Sequence, residues 1–326
     1  MSYLRFALML AAVVLMPGAQ AETISVSWDD DFFVDRDYGY TSGLRVAYVS
    51  DTHSDCAMST SLTCATTDLM SGLPGVRPLS QHALLFALKQ IMMTPRNVRR
   101  AEADFSDLPY VGYASVEAAL FSWDQEQLVG YGVRLGVVGP DSGAGWVQRH
   151  VHRLTHDHYP AGWSNQLGQN LTGGVYATYL RRGPQWRMAQ DRRLALAYGA
   201  TVNAGSWQSY ARVQGFVRYG RNLAPNFIPD YRSNGNDASL VGMATSGSGW
   251  ELFLGLQGRY NAYEYVHKHA DRYDVGLRHF SAGVMAGASW RFEHGPTLTL
   301  LLQHASSPLR KGGSRSFGTL ALAWPF

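Results

Sequence analysis

The residues whose type and spacing could do chemistry fall in three stretches of the chain. In the third, Gly139-Pro140-Asp141 precedes GAGWVQRHVHRLTHDHYPAGWSNQLGQN. Trp146 to His156 contains no Gly or Pro but is flanked by both, which predicts a short helix. Gln148 and His152 then lie four apart on one face. His152 and His156 share that spacing, which mimics a zinc protease. That motif needs Glu after the first His, however, and Arg153 stands there, so the protease is set aside. His150, His156 and His158 read as rim residues. The first stretch, WDDDFFVDRDYGYTSG, gathers Asp29, Asp30 and Asp31, with Asp35 and Asp37 close behind. Carboxylates so close repel unless a cation shares them, and oxygen ligands at about 2.3–2.6 Å suit calcium. A solvated acidic turn would look the same. The second stretch places Arg96, Arg99 and Arg100 together, and guanidinium forks suit phosphate groups or an ordinary charged rim.

The elements that must position these residues are strands. Charged residues make up 16% of the 326-residue chain, against roughly 25% in soluble proteins. Tyr, Trp and Gly number 18, 9 and 34. A balance of 28 Lys+Arg against 25 Asp+Glu is too even for a nucleic-acid binder. A mean hydropathy of −0.17 excludes a bundle of membrane helices, and the aromatic content excludes disorder. Residues 1–21 have the charged, apolar and small-residue order of a secretory signal cleaved after Ala21, which leaves 22–326 as one mature unit. Cys56 and Cys64 lack CxxC spacing and are expected to form one local disulfide in an oxidising compartment.

Period-two alternation dominates the mature chain. Val129, Tyr131, Val133, Leu135 and Val137 fall on one face, and Gly130, Gly132, Arg134 and Gly136 on the other. A soluble sandwich would turn its large apolar face inward and a charged face outward. One greasy face against one of glycine and a lone Arg suits a barrel with lipid outside. The last segment repeats the pattern and ends on Phe326, which resembles the sorting signature of bacterial outer-membrane barrels. Twelve strands are expected, near 23–29, 42–50, 83–92, 112–123, 127–138, 172–182, 192–202, 208–220, 249–263, 274–292, 296–305 and 316–326. With both termini periplasmic, parity brings the three chemical stretches to one external rim. The fold expected is therefore all-β: a transmembrane antiparallel barrel with a short helix in an external loop.

In order and spacing these segments resemble the outer-membrane lipid A 3′-O-deacylases. Asp29-Asp30-Asp31 and Tyr40-Thr41-Ser42-Gly43 are similar to that family's Glu-Asn-Asp and Tyr-Thr-Ser/Asn-Gly. Asp107 to Tyr113, Gly139-Pro140, Gln148 with His152, and Gly162-Trp163-Ser164-Asn165-Gln166-Leu167 follow in the family's order. The resemblance implies a calcium-dependent hydrolase of an acyl ester in lipid A, with lipopolysaccharide and outer-membrane lipids as its partners; the residues do not speak to oligomeric state, and a monomer is the expectation. By the same resemblance His152 is the base that activates water. Asp30 and Asp31 serve Ca2+ and the oxyanion, Gln148 and Thr41 sit nearby, and Arg99 and Arg100 bind substrate. The chain departs from the family at Asp30, where the family has Asn, and at Gly168-Gln169-Asn170, where an acidic residue is missing. Two other readings stay open. One is a serine phospholipase using Ser42. The other is a non-enzymatic channel or adhesin whose small inward residues Gly130, Gly132, Ala321 and Ala323 leave a pore.

A barrel of this kind should fractionate with the outer membrane and migrate faster on gels when unheated than when boiled. Recovery as a soluble periplasmic monomer would exclude it.

Overall fold

The computed structural model describes residues 22–31, 39–50, 52, 70–78, 80–228, 247–293 and 295–326. The signal segment, both cysteines, Asp35 and Asp37 lie outside the described residues. Twelve antiparallel strands close into one barrel. They are β1 (Thr23–Asp30), β2 (Gly39–Val49), β3 (Gln81–Thr94), β4 (Val111–Trp123), β5 (Gln127–Val138), β6 (Asn170–Arg187), β7 (Arg192–Gly205), β8 (Gln208–Arg221), β9 (Gly249–Glu264), β10 (Phe280–Arg291), β11 (Thr297–Ser306) and β12 (Ser314–Pro325). β1 pairs with β12 from Thr23↔Pro325 to Asp30↔Gly318, so no edge is left open. Two α-helices stand at the external end: α1 (Ala144–Thr155), expected from the sequence, and α2 (Tyr265–His269). The clear departure from expectation is 274–279, which is not strand. Asp274 and Gly276 both take positive φ there, and β10 begins only at Phe280.

The outward face of the strands is apolar, as the alternation predicts. Val133, Leu135, Val175, Leu254, Leu256, Leu302 and Trp324 are all exposed on the wall. The inward face is filled. Glu117 is buried and receives Arg45 at 3.1 Å, Arg134 at 3.5 Å and the Tyr176 hydroxyl at 2.8 Å. One carboxylate shared by two guanidiniums and a phenol offsets part of the cost of burying them, with Arg45 Nε and Nη1 left without a hydrogen-bond partner.

Inward glycines make room for aromatic rings from neighbouring strands. A Cβ on Gly130 would lie 2.5 Å from the Phe121 ring, and one on Gly132 would lie 2.2 Å from that of Tyr176. Gly255 stands to Phe216, and Gly287 to Phe253, in the same way. This corrects the pore reading: the space beside Gly130 and Gly132 holds rings, and Ala323 is buried.

Described residues also pack at both ends of the lumen. At the periplasmic end Arg218 pairs with Glu251 at 2.6 Å and donates to the Ala224 and Asn226 carbonyls. Phe227 and Ile228 pack there with Leu85, Phe121 and Leu180. At the external end Tyr113 stacks flat on Trp207 at 4.2 Å, amid Tyr265, Val266, Leu309 and Phe317.

Gly132→Val should cost about 1–3 kcal/mol, because the new side chain overpacks Tyr176. Gly168→Ala, with nothing within 4 Å of the new Cβ, should be close to neutral. Denaturant unfolding in detergent measures both. Equal stability of the two variants would refute the packing role of the ring.

Candidate functional site on the outer wall

Strand alternation splits the acidic triplet. Asp29 faces the lumen, where Tyr40 donates to Oδ2 at 2.7 Å and Thr319 to Oδ1 at 2.8 Å. Asp30 follows on the other side of β1, the face that also presents Trp28, whose indole donates to Ser42 Oγ at 3.2 Å. Asp31, just beyond the strand, is buried. The three carboxylates are therefore not one cluster. Asp29 holds the barrel wall together, and Asp30 stands outside it.

A row of paired residues leads from Asp30 to the helix. Asp30 is opposite Ser42, Ser42 opposite Met92, and Met92 opposite Gly112. At about 4.8 Å per strand, Asp30 lies roughly 14 Å from Gly112. Within this row the β2–β3 register shifts between Tyr40 and Ser42. The extra residue is Thr41, whose hydroxyl shares a 2.6 Å hydrogen bond with that of Thr94. A bulge re-aims one side chain, here toward the end of β3. Gly112 must be glycine for space, since a Cβ would meet Ser142 Oγ at 2.2 Å and Ala144 Cβ at 2.8 Å. The start of α1 thus rests directly on the outer face of β4. Gln90 on the same face of β3 secures it by donating to the Ser142 carbonyl at 2.7 Å.

The helix begins after Gly143, which takes φ +71°, a left-handed turn that suits glycine. Ala144 packs with Met92, Tyr110 and Trp163. One turn on, Gln148 is 3% exposed, and its Oε1 accepts from the Trp163 indole at 2.6 Å. Its Nε2 is buried without a partner. Two donor hydrogens are thus fixed in place and uncommitted.

His152 follows on the same face. Its Nδ1 lies 2.6 Å from the His158 carbonyl oxygen and 3.9 Å from Asp157 Oδ2. A carbonyl can only accept, so Nδ1 carries the proton and Nε2 keeps its lone pair. That is the tautomer a general base requires. The left-handed His156 (φ 59°) ends the helix and turns the chain so that the His158 carbonyl faces back.

The two arginines expected to bind substrate differ. Arg99 contacts His158 Nε2 through its guanidinium and thereby ties the β3–β4 loop to the segment that orients His152. Arg100 pairs with Asp104 at 2.8 Å on the exposed rim. Ser106 donates to Asp104 and, with Arg100, holds that carboxyl below its usual range. Sequence reading missed Trp163 as the clamp on Gln148, although Gly162-Trp163 stands within a family-like motif. It also missed the His158 carbonyl, because a backbone atom leaves no trace in residue type.

The oxygen donors that could serve calcium are only partly gathered. Among the described residues no group of three or more His, Cys, Asp or Glu is placed to hold a metal. Asp30 and Asp31 offer oxygens of the kind a hard cation takes, while the Thr41 hydroxyl is engaged with Thr94 on β3.

The model of the family described as outer membrane protein LpxR matches residues 4–326. No curated protein matches the chain in sequence. Among solved structures, LpxR from Salmonella typhimurium aligns with a TM-score of 0.75 at 17% identity, over 93% of this chain and 100% of that one. The β domain of the Bordetella autotransporter BrkA aligns with a TM-score of 0.46 at 11% identity, over 94% of this chain and 99% of that one.

Trp163→Phe keeps the ring but deletes the donor to Gln148, leaving a buried amide oxygen unpaired. Stability should fall by about 1–3 kcal/mol while the barrel still forms. Denaturant unfolding in detergent checks it, and an unchanged midpoint would show that the indole does not fix Gln148.

Proposed function

The chain belongs to the outer membrane protein LpxR family, and we propose that it hydrolyses an acyl ester of lipid A, the 3′-acyloxyacyl group, with water activated by His152. The observation that carries this reading is the position of the base. It sits on a helix packed against β3 and β4 on the outside of the barrel, strands that present exposed Leu88 and Val116 further down the wall. A substrate whose acyl chains lie in the outer leaflet meets such a site from the side, with its ester bonds near the level of the strand ends.

In the proposed reaction His152 Nε2 takes a proton from water while the water oxygen bonds to the acyl carbon. The tetrahedral intermediate collapses with loss of the sugar-side oxygen, which recovers the proton from His152. A free fatty acid and a hydroxyl on the lipid remain. The His158 carbonyl keeps the imidazole in register throughout, and Asp157 stabilises its charged form. Gln148 Nε2 supplies a neutral donor for the oxyanion. Asp30 cannot, since an ionised carboxylate only accepts. Asp31 with Asp30 would hold Ca2+, which when bound supplies positive charge near the ester. Arg99 and Arg100 face the phosphates of the headgroup.

His152→Ala should lower activity by about 10²–10⁴-fold with the barrel intact. His158→Ala, which retains the carbonyl, and Ser42→Ala should lose far less. Mass spectra of lipid A from cells making each variant report the acyl loss. A defect in His156→Ala equal to that of His152→Ala would replace the base with a two-histidine metal site. Abolition by Ser42→Ala would favour a serine esterase.

A further inference from the structure

We infer that the external cleft between the β3–β4, β5–β6 and β9–β10 loops binds an anionic sugar, the saccharide portion of the glycolipid. That the saccharide belongs to the substrate rests on the function proposed above. The cleft has a volume of about 420 Å³, within the range of small-molecule sites. It is rigidly framed. Lys311 donates to the carbonyls of both Phe105 and Tyr273, which joins two of the three loops. Asn165 on the third donates to the Ala101 carbonyl. Phe105 and Tyr273 meet edge-to-face at 4.9 Å.

The lining sorts by chemistry. Arg272 lies 3.9 Å over the Phe105 ring and is exposed, and no carboxylate pairs with it among the described residues. A guanidinium held by its flat face keeps its edge N–H groups free for a bidentate anion. Gln166 lines the same wall, with its Oε1 turned inward against Gly112. His269 donates from Nδ1 to the Tyr265 carbonyl at 3.0 Å, which leaves Nε2 to accept. An amide, one ring pair and one unpaired guanidinium recognise a hydroxylated anion, and Asp271, the carboxylate of the lining, is an acceptor for a sugar hydroxyl. The cleft also shares a support with the base. Asn165 and Gln166 continue the turn whose Trp163 clamps Gln148, so a sugar seated there is presented beside α1.

Phosphate and carboxylate are the two anions such a sugar can carry, and Arg272 fits both. The test is calorimetric binding of the fully deacylated saccharide of lipopolysaccharide to the full-length protein in detergent. Wild type should bind, and Arg272→Gln should weaken binding roughly tenfold or more. Heat-modifiable migration confirms that the variant is folded. Phosphatase-treated and carboxyl-reduced saccharides identify the anion by which one loses affinity. Wild-type binding that is absent, unchanged by Arg272→Gln, or undiminished after both treatments overturns the inference. Because binding needs no turnover, a protein that binds but does not hydrolyse defeats only the proposed function. One that hydrolyses but does not bind the saccharide defeats only this inference.

Discussion

In a closed barrel the parity of a residue decides whether it meets the lumen or the lipid, and the site depends on that constraint. Because β1 is paired on both sides, by β2 and β12, it cannot slip by one residue without reversing every side chain. Asp29 is therefore committed to Tyr40 and Thr319 inside, and Asp30 to the outer face. Three like charges in sequence become one internal tie, one external carboxylate and one buried residue past the strand end. The repulsion expected of adjacent carboxylates is relieved by the pleat before any cation is needed.

The same alternation sets where a helix can dock. An outward residue with a side chain at position 112 would hold α1 away from the wall; glycine lets Ser142 and Ala144 come down onto β4. Gln90, Tyr110 and Trp163 then fix the helix, and the helix fixes Gln148 and His152. Each link is a short-range contact, yet together they carry strand register into the orientation of one imidazole ring. The filled interior contributes as well. Glu117, holding Arg45, Arg134 and Tyr176, ties together β2, β4, β5 and β6 behind the wall on which α1 rests.

Much of this was legible in the sequence, for physical reasons. Alternation is a strong signal when one face must be apolar for lipid, so all twelve strands and the helix were found close to their places. The strand start at 280 was misjudged because its neighbours, including Val275 and Leu277, are apolar for packing against the loops and not for a sheet. Gln148 and His152 were legible as a helical pair, and Thr41 through its motif. What the sequence hid were contacts made by backbone or by space: the His158 carbonyl, the room left by Gly112, and the rings that occupy Gly130 and Gly132. Glycine in a strand reads equally well as a pore lining or as a socket, and only the facing strand tells which.

An outer-wall site also explains why the polar row lies where it does. A charge facing lipid costs about 2–4 kcal/mol at the bilayer midplane but roughly 0–1 near the interface. Asp30, Ser42, Thr41, Thr94 and Gln90 all occupy the external ends of their strands, while the outward positions below them, Leu44, Leu88 and Val116, are exposed and apolar. The helix reduces the remaining cost by covering part of the row. The polar groups of the proposed site are thus kept at the depth where they can be tolerated beside lipid, and that depth is also where the ester bonds of a leaflet lipid are found. Stability and proposed chemistry select the same ring of positions.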